Sequence, residues 1–394
     1  MSTAGLPERK ISLMLVCGEP SGDQLGAQLM SGLQAIAGNN VAITGVGGPA
    51  MAAQGLQSLF PLDDTAVMGL REVVPKIPKI LARVRQARDY ALATRPNAVV
   101  LIDSPDFTHR IARAVKRADP TIQTINYVAP QVWASRAYRA RAMAKYFDLV
   151  LALLPFEAPF FETHGLKSIF VGHPVIERAT RMQGGTQLRA RLGIPPDAPL
   201  LALLPGSRTN EIRFILPVFR DAVRLIAARV PGLVTILPTI PHVAARVREG
   251  IQNWPTPIHL IENDDDKFAA FDATNVALAA SGTVTTELAL SRTPFVAAYR
   301  LGAVTYALGR WLFKLPYFTL VNLLLERKAV PEFLQSDASP ENLAKEVIAL
   351  FQDGDAAKRQ IADLEEAAHR LGQGGEQPSL RAARAILDFV KTKR

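Results

Sequence analysis

The stretch Ile11-Ser12-Leu13-Met14-Leu15-Val16-Cys17-Gly18-Glu19-Pro20-Ser21-Gly22-Asp23 decides the fold: a nearly unbroken apolar run stops at a small polar turn, and residues 25–37 then follow helical spacing. A strand with almost no polar alternation is buried on both faces, as in parallel sheets covered by helices. The pattern recurs. Residues 41–46, 98–103, 121–128, 149–153 and 168–171 read as strands, and residues 77–94, 107–118, 137–146 and 156–164 as the helices that accompany them. Parallel strands joined by helical crossovers make a doubly wound sheet.

After Gly172-His173-Pro174 the series restarts, with strands at 200–204, 234–237, 258–261, 276–279 and 295–298. At 394 residues the chain exceeds what one core of ordinary size holds. The expected fold class is therefore α/β with two Rossmann-like domains, residues 1–172 and 173–378, linked near 170–185. A final helix, residues 379–391, can pack on either.

Composition narrows the function. A single cysteine, Cys17, forms no intramolecular disulfide and lies in an apolar run, which points to a reducing compartment. That run is too short for a signal peptide, and no apolar stretch reaches the roughly 18 residues of a spanning helix, so a cytoplasmic location is expected. A net charge of +9 attracts something anionic, whether nucleic acid, phosphorylated substrate or lipid headgroups. Six scattered histidines offer no metal-ligand pair, and Asp264-Asp265-Asp266 reads as a helix N-terminus rather than a cation site. No metal and no cofactor are expected.

Ligands in open parallel sheets bind beyond the carboxyl ends of the strands. Three turns fall there. In Gly18 to Asp23, small residues such as Gly22 allow close approach, and Glu19 and Asp23 can accept from sugar hydroxyls; Ser21 or Asp23 as a helix N-cap is the competing reading. In Leu204-Pro205-Gly206-Ser207-Arg208, followed by Asn210 and Glu211, backbone amides and the Arg208 guanidinium suit a diphosphate. The turn lacks the P-loop ending and the dinucleotide spacing. In Ala280-Ser281-Gly282-Thr283, hydroxyls and amides suit a phosphate, and Glu287 one turn on suits ribose hydroxyls; capping by Ser281 or Thr283 is the alternative. Between them Asp103 ends a strand, where a general base for a sugar hydroxyl belongs. Asp106 competes for that role but also fits an N-cap.

With these residues in view, the chain resembles the lipid-A-disaccharide synthases. Gly18 to Asp23 is similar to their Gly-Glu-x-Ser-Gly-Asp signature, and the likeness continues through Val67-Met68-Gly69, Ile102 to Phe107, Pro130 to Trp133, Leu153 to Glu157, Gly172-His173-Pro174, Leu203 to Arg208, Ala280 to Thr283 and Asn322-Leu323-Leu324. It departs at Gln131-Val132-Trp133-Ala134-Ser135 and at Val321, where the family commonly has Ser-Val-Trp-Ala-Trp and a proline. The resemblance implies a GT-B fold, with two Rossmann-like domains facing each other across a cleft. It implies inverting, metal-independent transfer of 2,3-diacylglucosamine from its UDP derivative to 2,3-diacylglucosamine 1-phosphate, giving a β-1,6 disaccharide 1-phosphate and UDP. It assigns Asp103 as base, Glu19, Ser21, Gly22, Asp23 and Trp133 to the acceptor side, and Gly206, Ser207, Arg208, Glu211, Ser281, Gly282, Thr283, Glu287 and Asn322 to the UDP-sugar.

Both implied substrates carry acyl chains, so peripheral contact with the cytoplasmic face of the inner membrane is expected. From Leu70, the apolar residues Val73, Val74, Ile77, Ile80, Leu81 and Val84 are interleaved with Arg71, Lys76, Lys79, Arg83 and Arg85. An interfacial helix and a core helix with a solvated basic face both fit. Pro75 and Pro78 are expected to break its first part. Residues 306–318 are a second candidate for lipid, a partner subunit or the core, which leaves a homo-oligomer open. Nucleic acid is not expected, since no base-stacking aromatic series accompanies the cations.

Overall fold

The computed structural model describes residues 10–65, 70–130, 138–280, 282–300 and 316–392, apart from the side chains of residues 70–75 and Asp264. The chain divides into two compact units, one running to Pro174 and resuming at Gly374, the other spanning Val175–Gln373.

The first unit holds β1 (Ile11–Cys17), β2 (Val41–Val46), β3 (Ala98–Ile102), β4 (Gln123–Tyr127), β5 (Leu149–Ala152) and β6 (Ser168–Phe170). They form one parallel sheet in the order β2-β1-β3-β4-β5-β6. Helices α1 (Pro20–Ala37), α2 (Pro49–Ala53), α3 (Leu70–Thr94), α4 (Pro105–Ala118), α5 (Tyr138–Met143) and α6 (Glu157–Thr163) connect them. Alternate residues of β1 serve opposite cores: Leu13, Leu15 and Cys17 pack with α1, Met14 and Val16 with the α3–α4 side. That two-sided burial is why the strand carries so little polar alternation.

Two competing readings fall here, and one expectation needs correction. Helix α1 begins at Pro20, so Glu19 is its N-cap and neither Ser21 nor Asp23 is. Proline at the first helical position costs nothing, because its missing N–H is an orphan there anyway. Helix α4 likewise starts at Pro105 with Ser104 as N-cap, which puts Asp106 inside the first turn. Finally, α3 runs unbroken through Pro75 and Pro78. Each proline removes one hydrogen bond near the amino end, while burial of Val84, Ala87 and Ala91 holds the carboxyl-terminal part.

The second unit holds β7 (Leu200–Leu204), β8 (Val234–Pro238), β9 (Ile258–Ile261), β10 (Val276–Ala280), β11 (Phe295–Tyr299) and β12 (Glu332–Leu334), all parallel, in the order β12-β11-β10-β7-β8-β9. Its helices are α7 (Gly185–Leu192), α8 (Thr209–Ala227), α9 (Pro241–Gly250), α10 (Asp264–Ala273), α11 (Thr283–Leu290), α12 (Leu320–Leu325), α13 (Pro340–Gln352) and α14 (Gly354–Arg370). The closing helix α15 (Pro378–Thr392) belongs to the first unit, where Ala382, Ala383, Ile386, Leu387, Phe389 and Val390 join the core beneath α1.

In each sheet the chain reverses its direction of growth once, between β1 and β3 and between β7 and β10. Open parallel sheets bind ligands at such reversals. The registers Cys17↔Ile102 and Leu204↔Ala279 bring the turns after those strands side by side.

Candidate active site

At the first reversal Asp103 and Ser104 leave β3 in the left-handed region, with φ of 55° and 45°. Consecutive non-glycine residues there are costly and persist only when their surroundings hold them. The hold is visible. The Asp103 amide donates to Tyr127 O at 2.9 Å and the Thr108 hydroxyl donates to Asp103 O at 2.7 Å. The carboxylate, half-buried, accepts from Ser21 Oγ at 3.0 Å. Gly22 permits this approach, since a Cβ there would sit 3.0 Å from Cys17 Cβ and 3.2 Å from Ile102 O.

Glu19 stands at the mouth of the same turn. Burial, and then the negative charge of Asp103, push its carboxyl above the ordinary carboxylate range. Asp106 is exposed, in the first turn of α4. Asp23 is elsewhere engaged: it is buried and accepts from the backbone N–H groups of Gly48 (2.7 Å), Ala50 (2.8 Å) and Met51 (3.0 Å). There it neutralises the amino end of α2. Trp133 lies outside the described residues.

At the second reversal Gly206, with φ +109°, turns the chain from β7 into α8. Arg208 is 78% exposed, and its neighbour Glu211 folds back onto the turn, accepting from Ser207 N at 2.8 Å and Arg208 N at 3.1 Å. Beside it, after β10, Gly282 and Thr283 are exposed at the start of α11; Ser281 lies outside the described residues. Glu287 is 2% exposed and held from both sides, Oε1 by Arg178 and Oε2 by Lys267, each at 2.8 Å.

Three residues of this site went unread in the sequence. Arg178 and Lys267 converge on Glu287 from remote positions, with no local spacing to betray them. Tyr299 ends β11, separated from β7 by β10 alone, and burial and then the charge of Glu211 push its phenol upward. Its position at a strand end was the available signal. Asn322, by contrast, is fully buried. Its amide pairs with the Val330 backbone, Nδ2 donating to O and Oδ1 accepting from N, both at 2.9 Å. That fixes the chain after α12. Among the described residues no group of three or more His, Cys, Asp or Glu is placed to hold a metal ion.

Two parallel six-stranded sheets, each with a turn cluster at its reversal, define a GT-B-like glycosyltransferase fold. Similar solved structures include the UDP-N-acetylglucosamine 2-epimerase from Neisseria meningitidis bound to UDP-GlcNAc (TM-score 0.60, 14% identity, 98% of this chain and 100% of that one). MurG of Acinetobacter baumannii is another (TM-score 0.57, 15% identity, 97% and 99%). Epimerases and transferases share this fold, so the fold alone does not choose the reaction. Sequence does. The lipid-A-disaccharide synthetase family model matches residues 13–386. The chain is 47% identical over 386 residues to the lipid-A-disaccharide synthase of Rhodospirillum centenum, covering 98% of this chain and 96% of that protein. It is 43% identical over 381 residues to that of Paramagnetospirillum magneticum, covering 96% and 97%. The chain belongs to the lipid-A-disaccharide synthase family and is a glycosyltransferase of lipid A biosynthesis.

Proposed function

We propose that the chain moves 2,3-diacylglucosamine from its UDP derivative to the 6-hydroxyl of 2,3-diacylglucosamine 1-phosphate in one inverting displacement, with Asp103 as general base. The observation that carries this is the Asp103 carboxylate, held at the sheet reversal by Ser21 on a backbone conformation that only its surroundings sustain. In the reaction the acceptor oxygen attacks the anomeric carbon as its proton passes to Asp103. The bond to the diphosphate breaks, and UDP leaves with the electron pair. An α donor bond thereby becomes a β product bond, and no covalent enzyme intermediate is required.

Charge grows on the departing diphosphate. Arg208, the turn amides and the amino end of α11 supply the compensation, so no metal is invoked. Glu287, fixed by Arg178 and Lys267, is the acceptor for the ribose hydroxyls. Glu19 and Ser21 stay on the acceptor side with Asp103.

Peripheral membrane contact belongs to the same reading, because both substrates are acylated. It rests on Ile77 and Leu81, 42% and 36% exposed one turn apart on α3. Among the described residues no helix is long and apolar enough to cross a membrane.

The test is UDP release by purified protein. Release is expected only with both diacyl sugars present, and it should persist in EDTA; release without the monosaccharide 1-phosphate would instead indicate epimerase-like chemistry. Asp103→Asn should lower kcat by about 10²–10⁴ with UDP binding retained, the range expected for loss of a positioned base. Unchanged turnover in Asp103→Asn would remove Asp103 from the mechanism.

A further inference from the structure

The turn after β7 meets an incoming anion with its donors already engaged. Glu211 Oε2 accepts from both Ser207 N (2.8 Å) and Arg208 N (3.1 Å), and Oε1 lies 3.3 Å from Arg208 Nη1. In an ordinary capping box the N3 carboxylate accepts only from the N-cap amide, here that of Arg208. The second amide, bound to the same oxygen, makes the arrangement a two-donor anion seat. Gly206 is shaped around it: a Cβ on this residue would lie 2.4 Å from Glu211 Oε2. The Glu211 side chain is only 12% exposed, while Arg208 is 78% exposed.

We propose that Glu211 is a resident stand-in for the substrate's diphosphate, filling the anion seat in the free protein and giving it up when the nucleotide binds. This rests on the reading of Gly206 to Arg208 as the diphosphate site. Two anions cannot share the same pair of amides, so phosphate oxygens enter as the carboxylate swings out. The turn thus stays ordered and its amides satisfied before substrate arrives. After transfer, the returning carboxylate competes against bound UDP and favours its release.

Glu211→Gln keeps an oxygen that can accept from the amides but removes the charge. Calorimetric titration with UDP, uridine and inorganic pyrophosphate separates the terms. UDP should bind Glu211→Gln about fivefold more tightly than wild type, the lower end of typical coupling between linked sites. Pyrophosphate should gain similarly, uridine should not change, and the inhibition constant for UDP in the transfer reaction should fall by the same factor. UDP affinity that is unchanged or weaker, in a variant melting like wild type, overturns the proposal. If the variant does not fold, the wild-type protein decides: the Ser207 and Arg208 amide resonances must move on UDP addition, and unmoved signals at saturation overturn it. Wild type that binds no UDP would instead bring down the underlying assignment of the site.

Discussion

Asp103 and Glu19 are two carboxyl groups in one turn with different tasks. Aspartate tolerates the left-handed region better than most residues, which is one reason it can follow β3 directly. Reading Asp103 as a strand end located it correctly past Ile102, but its positive φ has no sequence signature. Glu19 feels the opposite side of the arrangement. Its carboxyl is raised by burial and by Asp103, so folding disfavours its ionised form. The cost is absent below the ordinary value of 4.5, grows as pH rises through it and levels off above the raised folded value. Glu19→Gln should therefore raise Tm at pH 7 and lose that advantage near pH 4, as followed by calorimetric melting across pH. His109 bears the contrary sign. Burial and then Arg113 push it down from 6.5 to about 4, so its contribution is present above 6.5 and lost as pH falls towards 4. Neither shift was legible beforehand, because the largest cause of each is burial, which only the folded packing sets.

At the scale of elements, α3 resolves a question the residue pattern left open. The apolar positions that share one periodic stripe separate on folding: Val84, Ala87 and Ala91 enter the core, whereas Ile77 and Leu81 stay exposed. Asp64 fixes this rotation, bound by Lys79 at 2.5 Å and Arg83 at 2.6 Å, with the Arg83 guanidinium 4.9 Å from the Phe60 ring centre. If α3 serves the membrane as proposed, Ile77→Ser with Leu81→Ser should weaken binding to anionic vesicles about tenfold or more, each apolar side chain being worth roughly 1.5 kcal/mol or more, without shifting Tm. Val84→Asp should unfold the protein instead. Equal vesicle binding by the double variant would exclude this face. The long strands were readable for a related reason: five or more apolar residues in a row have few other homes. β12 was missed because Glu332-Phe333-Leu334 is three half-buried residues at a sheet edge, with neither length nor alternation to mark it. The start of α1 was placed too late because Gly22 and Pro20 read as a turn, although proline belongs at a helix start.

For the whole molecule, the succession of apolar runs made two parallel sheets legible, while the return of the last helix to the first unit was not determined by periodicity. Ile386, Leu387, Phe389 and Val390 are buried there, and at roughly 1.5–3 kcal/mol each they contribute on the order of 6–12 kcal/mol. That rivals the entire stability of a typical domain, about 5–15 kcal/mol. Deleting residues 378–392 should therefore leave the second unit folded and the first protease-sensitive, with cleavage mapped by mass spectrometry to residues before 174. Equal resistance of both units would refute this.

The same helix imposes an order on biosynthesis. A ribosome moving from amino to carboxyl end delivers β1 to β6 early, yet the layer that covers α1 is translated only after residue 373. The nascent first unit must wait, with an apolar face uncovered, through the making of the entire second unit. During that interval chaperones have a defined surface to guard.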